Sequence, residues 1–166
     1  MSYQEKRTFF SIVTGILILV AYITYVVQKY QAGNLLAEDV KFWAGVILVF
    51  IGIGIAVNIV GQIVFHVLLA IQIAIKKKIE NNDASDQAIE KSINHEMITD
   101  EMDDLIELKA MRLGFVISGI GFVTGLFMLV FDYSVVMMLH VVFIAFSLGS
   151  VCEGFLQLYY YRKGVQ

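Results

Sequence analysis

The sequence predicts an all-α membrane protein: an antiparallel bundle of four transmembrane helices, with a helical cytoplasmic projection between the second and third. Three observations predict it. Hydrophobic residues make up 58% of the 166-residue chain and charged residues 16%, with a mean hydropathy of +0.76, against about 45–50% and about 25% in soluble domains. The apolar excess is gathered into long uncharged runs, which a soluble core has no way to bury. Lys and Arg fall almost entirely on alternate connections between those runs. This composition excludes a globular cytosolic enzyme, a disordered chain and a nucleic-acid binder with a basic patch. The single Cys152 excludes a disulfide framework and a cysteine-based zinc site.

The first run, Thr8 to Val27, carries no charge between Arg7 and Lys29. It is longer than the roughly 7–15 apolar residues of a cleavable signal, and no Ala-x-Ala-like site follows it closely, so it is predicted to remain as a span over about residues 8–28. The second run stays uncharged from Phe42 to Ile75. As one helix it would be about 51 Å long, well beyond a hydrocarbon core of roughly 30 Å. It is predicted to cross over residues 42–66 and to leave the membrane as a stalk from residue 67. The third and fourth spans, about 112–132 and 134–158, are separated only by Asp132 and Tyr133 and must form a tight hairpin. Ile and Val enrichment would suggest strands in water, but in lipid a lone segment satisfies its backbone only as a helix. Continuous rather than alternating apolarity excludes a β-barrel.

Orientation follows from the basic residues. Lys6, Arg7, Lys76, Lys77, Lys78, Lys91, Lys109, Arg112, Arg162 and Lys163 lie on one side, and only Lys29 and Lys41 on the other. Both termini are therefore expected in the cytoplasm. Trp43 and Tyr30 are placed in the outer aromatic belt, and Tyr159, Tyr160 and Tyr161 in the inner one. With no signal or transit peptide legible, the expected address is a prokaryotic plasma membrane, and the first partner is the lipid bilayer itself.

Residues 67–111 form the expected cytoplasmic segment, and ten of the fifteen acidic residues fall between Glu80 and Glu107. Residues 81–86 read as a loop. Ile89, Ile93 and Met97 then recur every four residues, as in a short amphipathic helix, and Thr99 or Asp100 is a plausible N-cap for a helix entering the third span. The charged stretch 76–111 is a natural surface for a cytoplasmic protein partner. Asp100, Asp103, Asp104 and Glu107 stand at i, i+3, i+4 and i+7 and share one helix face. Clustered carboxylates suit a hard divalent cation, but acids at a helix start also complement its dipole, and no EF-hand loop is present; the second account is the better one.

The run Asp100-Glu101-Met102-Asp103-Asp104-Leu105-Ile106-Glu107-Leu108-Lys109-Ala110-Met111-Arg112 resembles the D-E-x-D-x-x-I-E-x-K-[AS]-x-R signature of a family of small bacterial four-span membrane proteins, described as a domain of unknown function. Similarity extends through Gly119-Ile120-Gly121-Phe122 and the ending Leu158 to Val165, and Gln62 to His66 also matches. The resemblance implies the same four-span topology and carries no activity; the frequent neighbourhood of such genes to small helix-turn-helix regulators implies a regulatory or stress-response role.

Ionisable residues within spans are functional candidates by default. His66 lies 23 positions after Trp43 and Glu153 20 after Tyr133, which places them about 34 Å and 30 Å inward, at a common level near the inner leaflet. His140 is only about 10 Å deep by the same rise, too far from His66 for a shared haem. Asn58, Gln62 and His66 form a polar stripe at four-residue spacing; Ser150, Glu153 and Gln157 form another. A proton or cation pathway would use His66 and Glu153 as its titrating pair. Interhelical hydrogen bonds of about 0.6 kcal/mol each are the better account of Asn58, Gln62 and Ser150, while for His66 and Glu153 the pathway and the structural account stand even. Gly121-x-x-x-Gly125, extended by Gly114 and Ser118, is a small-residue face. It serves either a homodimer seam or packing within one subunit, and the frequency of such motifs in apolar helices favours the second. No catalytic triad or phosphate-binding loop is legible, and no cofactor is implied. The function expected first is non-enzymatic, a regulatory or interaction protein; the alternative is a small proton- or cation-coupled transporter using His66 and Glu153.

Overall fold

The computed structural model describes residues 3–32, 39–80 and 101–164, with side chains other than those at 3, 69, 73, 74 and 76–80. Four helices account for nearly all of it: α1 Tyr3–Gln31, α2 Val40–Glu80, α3 Glu101–Val130 and α4 Val135–Lys163. No strand occurs among the described residues. Each helix contains a stretch long and apolar enough to cross a membrane, over Gln4–Gln31, Val40–Gln72, Glu101–Val130 and Val135–Lys163.

The absence of proline leaves every helix unbroken. α2 runs for 41 residues, about 62 Å of rise, and passes through Gly52, Gly54 and Gly61 without interruption. Charges sit where helix dipoles favour them: Glu101, Asp103 and Asp104 open α3, and Arg162 and Lys163 close α4. The expected amphipathic helix around Ile89, Ile93 and Met97 and the N-cap at Thr99 or Asp100 lie outside the described residues.

The α3–α4 turn shows how so short a link reverses the chain. Asp132 adopts the left-handed conformation at φ 62°. Its N–H donates to the Leu129 carbonyl at 3.2 Å, and the Tyr133 N–H to that of Met128 at 3.0 Å, the paired bonds of a Schellman ending. Ser134 then caps α4, its hydroxyl accepting from the Met137 N–H at 3.3 Å.

α4 is the central element: it packs broadly on α3, next on α1, and along a narrower strip on α2, which also lies against α1. Along the α3–α4 and α1–α4 interfaces sequence numbers rise on one helix as they fall on the other, whereas along α2 and α4 they rise together, from Trp43 beside His140 to Gln62 with Glu153 in a common lining. Gly114 faces Gly149, Gly121 faces Ala145 and Gly125 faces Met138; Thr8 meets Gln157, Gly15 meets Val151 and Tyr22 meets His140. The small-residue face of α3 thus lies on α4 within the chain. Elsewhere large apolar side chains point outward, among them Phe115, Val130 and Phe131 at 80%, 75% and 70% exposure. So much exposed apolar surface would drive aggregation in water; against acyl chains it is ordinary surface.

Candidate functional site

A polar cavity of about 190 Å³ opens at the end of the molecule that carries both termini. Every helix contributes: Arg7 and Thr8 from α1, Asn58 and Gln62 from α2, Glu107 from α3, and Glu153, Gln157 and Tyr161 from α4. Phe10 fills the space that Gly61 leaves bare and forms an apolar wall.

Glu153 is held from two sides. Thr8 Oγ1 donates to Gln157 Oε1 at 3.3 Å, and Gln157 Nε2 donates in turn to Glu153 Oε1 at 3.3 Å. The second carboxylate oxygen rests over Gly114, where a Cβ would stand 2.8 Å from Glu153 Oε2 and 3.1 Å from the Gly149 carbonyl. Gly114 therefore serves both helix approach and room for the carboxylate. Two turns earlier on the same face of α3, Glu107 lies within electrostatic reach of Glu153. Tyr161 hydrogen-bonds Asp103, one turn further out, with Arg7 and Glu107 close by. The arrangement presents two carboxylates, a guanidinium, a phenol and the four amides of Gln4, Asn58, Gln62 and Gln157 to one small space, which equips it to bind a cation by charge and by oxygen donors.

The polar stripes meet here in part. Asn58 and Gln62 join Glu153 and Gln157 in the lining, whereas His66 is exposed and does not line the cavity. The cause is helical geometry. Four residues turn a helix by about 400°, so a four-residue stripe drifts about 40° per step, and by His66 it has rotated about 80° from Asn58. The cavity follows Asn58, Gly61, Gln62 and Phe65 instead, and the acidic partner of Glu153 comes from α3. Ser150, together with Ser147, lines an adjoining apolar groove.

The acidic face of α3 is likewise divided. Asp100 lies outside the described residues. Asp103 is engaged by Tyr161, Asp104 is exposed and Glu107 lines the cavity. Among the described residues no three His, Cys, Asp or Glu side chains gather as ligands of a metal ion. The C-terminal turns of α4 pack against this face and take up two of its carboxylates separately.

The opposite end of the bundle holds a cluster that sequence spacing alone does not reveal. His140, 8% exposed, is hydrogen-bonded through Nδ1 to the Tyr22 hydroxyl at 2.6 Å, and its Nε2 has no hydrogen-bond partner among the described residues. Trp43 packs edge-on to the imidazole, ring centres 4.6 Å apart at 76°, and Phe143 lies 4.3 Å from the Tyr22 ring. At 1% exposure Trp43 is enclosed by protein, and the exposed Tyr30 stacks over it at 5.8 Å. Trp43 turns inward because His140 and Tyr22 offer a polar and aromatic surface that lipid does not. Tyr22→Phe removes the hydrogen bond between the Tyr22 hydroxyl and the imidazole and is expected to cost about 1–3 kcal/mol, read as a lower unfolding midpoint in detergent; an unchanged midpoint would show the bond to contribute nothing.

No family model, curated protein or solved structure matches this chain.

Proposed function

We propose that the chain is a four-helix antiparallel membrane bundle with both termini in the cytoplasm of a prokaryotic cell, and that it binds and transports a small cation through the cavity around Glu153. The observation carrying this reading is the meeting of Glu107 and Glu153 from separate helices in one polar cavity, with Gln157 and Thr8 holding the second carboxylate in place. A carboxylate inside a membrane bundle, as Glu153 is on α4, is costly and marks an ion path or proton relay; Glu107, exposed near the start of α3, joins it in the lining. The pair favoured is Glu107 with Glu153, in place of His66 with Glu153.

Flux across proteoliposomes tests it, with a pH-sensitive dye inside and Na⁺ or K⁺ gradients imposed in turn. Wild-type protein is expected to carry flux of one of these ions or of protons. Glu153→Gln and Glu107→Gln should each lower it at least tenfold, and His66→Ala should leave it unchanged. Flux that is absent in the wild type, or unaffected by Glu153→Gln, overturns the proposal.

A second reading, a regulatory protein that docks a cytoplasmic partner on residues 76–111, is favoured by the continuation of α2 to Glu80, eight residues past its apolar span, through Lys76, Lys77 and Lys78. The same reading would seat the chain among the four-span bacterial proteins that its Asp100–Arg112 stretch resembles. Pull-down from native membranes with and without residues 81–100 would test it, and identical recoveries would count against it.

A further inference from the structure

Beside the polar cavity, α1, α2 and α4 enclose an apolar groove of about 760 Å³. It runs along α2 from Ile47 to Gln62, about 22 Å by helical rise. Gly15 and Gly54 thin its walls, and Phe146 and Ile55 supply apolar surface. Two of its polar lining groups are satisfied within their own helices: Asn58 Nδ2 donates to the Gly54 carbonyl at 3.0 Å and Ser147 Oγ to that of Phe143 at 2.9 Å. These groups therefore make no demand on an occupant for hydrogen bonds. Asn58 and Gln62 line both the groove and the polar cavity, so the two spaces adjoin along a shared edge.

We propose that cavity and groove form one binding site, for an amphiphile with a cationic head and a single alkyl chain, a long-chain alkylammonium being the simplest member. The inference rests on the cation-pocket reading and adds the chemical class of the ligand. The head lies in the polar cavity, where Glu107 and Glu153 outnumber Arg7, a balance that suits an ammonium and disfavours a phosphate or carboxylate. The chain lies along the groove, entering sideways between α2 and α4 from the acyl region of the bilayer. An amphiphile so placed keeps its charge on carboxylates and its tail out of water, which neither space alone could achieve.

Binding to the full-length protein in lipid nanodiscs separates the two claims. Dodecyltrimethylammonium, tetramethylammonium and dodecyl sulfate are each titrated against displacement of a photoreactive dodecylammonium probe whose adducts are mapped by mass spectrometry. Dodecyltrimethylammonium is expected to bind at least tenfold more tightly than tetramethylammonium and than dodecyl sulfate, with adducts at groove residues of α2 and α4. Ser147→Trp, which fills the groove, should abolish the chain-length preference and leave tetramethylammonium binding intact. Glu153→Gln should weaken both ammonium ligands. If both ammonium ligands bind equally, while Glu153→Gln still weakens them, the groove is not part of the site and only the cation pocket survives. Binding of neither ammonium ligand defeats both readings. Dodecyl sulfate binding as tightly as the ammonium marks an unselective lipid-filled cleft, and groove crosslinks between two copies of the chain mark a dimer interface; either overturns the proposal.

Discussion

Gly149→Leu is expected to destabilise the protein by about 3 kcal/mol or more, toward the upper end of overpacking costs, and to separate α3 from α4. A Cβ at residue 149 would stand 2.6 Å from the Gly114 carbonyl oxygen and 2.7 Å from Ser118 Oγ. The first is backbone and cannot rotate away. Ser118 is itself committed, donating to the Gly114 carbonyl at 2.9 Å. In a bilayer this contact is worth more than its area suggests, because lipid tails are as apolar as the side chains and helices associate through close packing. Gly121→Leu should act similarly, since its Cβ would overlap that of Ala145. Gly119→Leu is the internal control: the same substitution, on the helix that carries Gly121, but with no neighbouring-helix atom within 4 Å, so a change within about 0.5 kcal/mol. Detergent-denaturation midpoints followed by circular dichroism give the comparison. A Gly149→Leu protein as stable as Gly119→Leu would disprove the close approach.

Trp43→Ala should be comparably severe, about 3 kcal/mol, the lower end for removing a large buried aromatic, because part of the usual transfer cost is absent in lipid. The indole touches His140, Tyr25, Tyr30 and Phe42, so its removal opens a void shared by three helices and uncovers a buried imidazole. Trp43→Phe should recover more than half of the loss by refilling the aromatic volume. As the only tryptophan, Trp43 also reports on itself. Buried in the core, its emission should be poorly quenched by lipids brominated near the headgroup, and it should become quenchable on unfolding. Strong quenching in the folded state would show the indole open to lipid and remove the basis for the predicted loss.

The sequence was legible where one helix decides the outcome. Uncharged runs and their basic flanks marked four spans, and rise per residue placed Glu153 at the far end of its helix from Tyr133 and His140 near the hairpin. It was least legible where position around the helix axis decides. Asn58, Gln62 and His66 read as one stripe only if four-residue spacing runs straight, and the accumulated rotation carries His66 off the cavity. Glu107 reads as a member of an acidic patch on α3 alone, because the turns of α4 that divide the patch lie some fifty residues away in sequence. The His140 cluster draws one side chain each from α1, α2 and α4 at unrelated sequence positions, and no spacing rule joins Tyr22, Trp43 and His140. Gly114 carries the one sequence signal of the meeting of Glu107 and Glu153: a small residue two turns from Glu107 on the same face is where a carboxylate from a neighbouring helix can enter.

The central position of α4 bears on how the protein is made. It forms the broadest interface with α3 and the main one with α1, and it supplies His140 to one end and Glu153 to the other. The ribosome produces it after the other three. Until Val135–Lys163 is inserted, α1 and α2 have only each other and α3 has no broad surface to rest on, with Tyr22, Trp43 and Glu107 facing lipid or solvent. Assembly must therefore run against the direction of synthesis, with the last segment organising those already in the membrane.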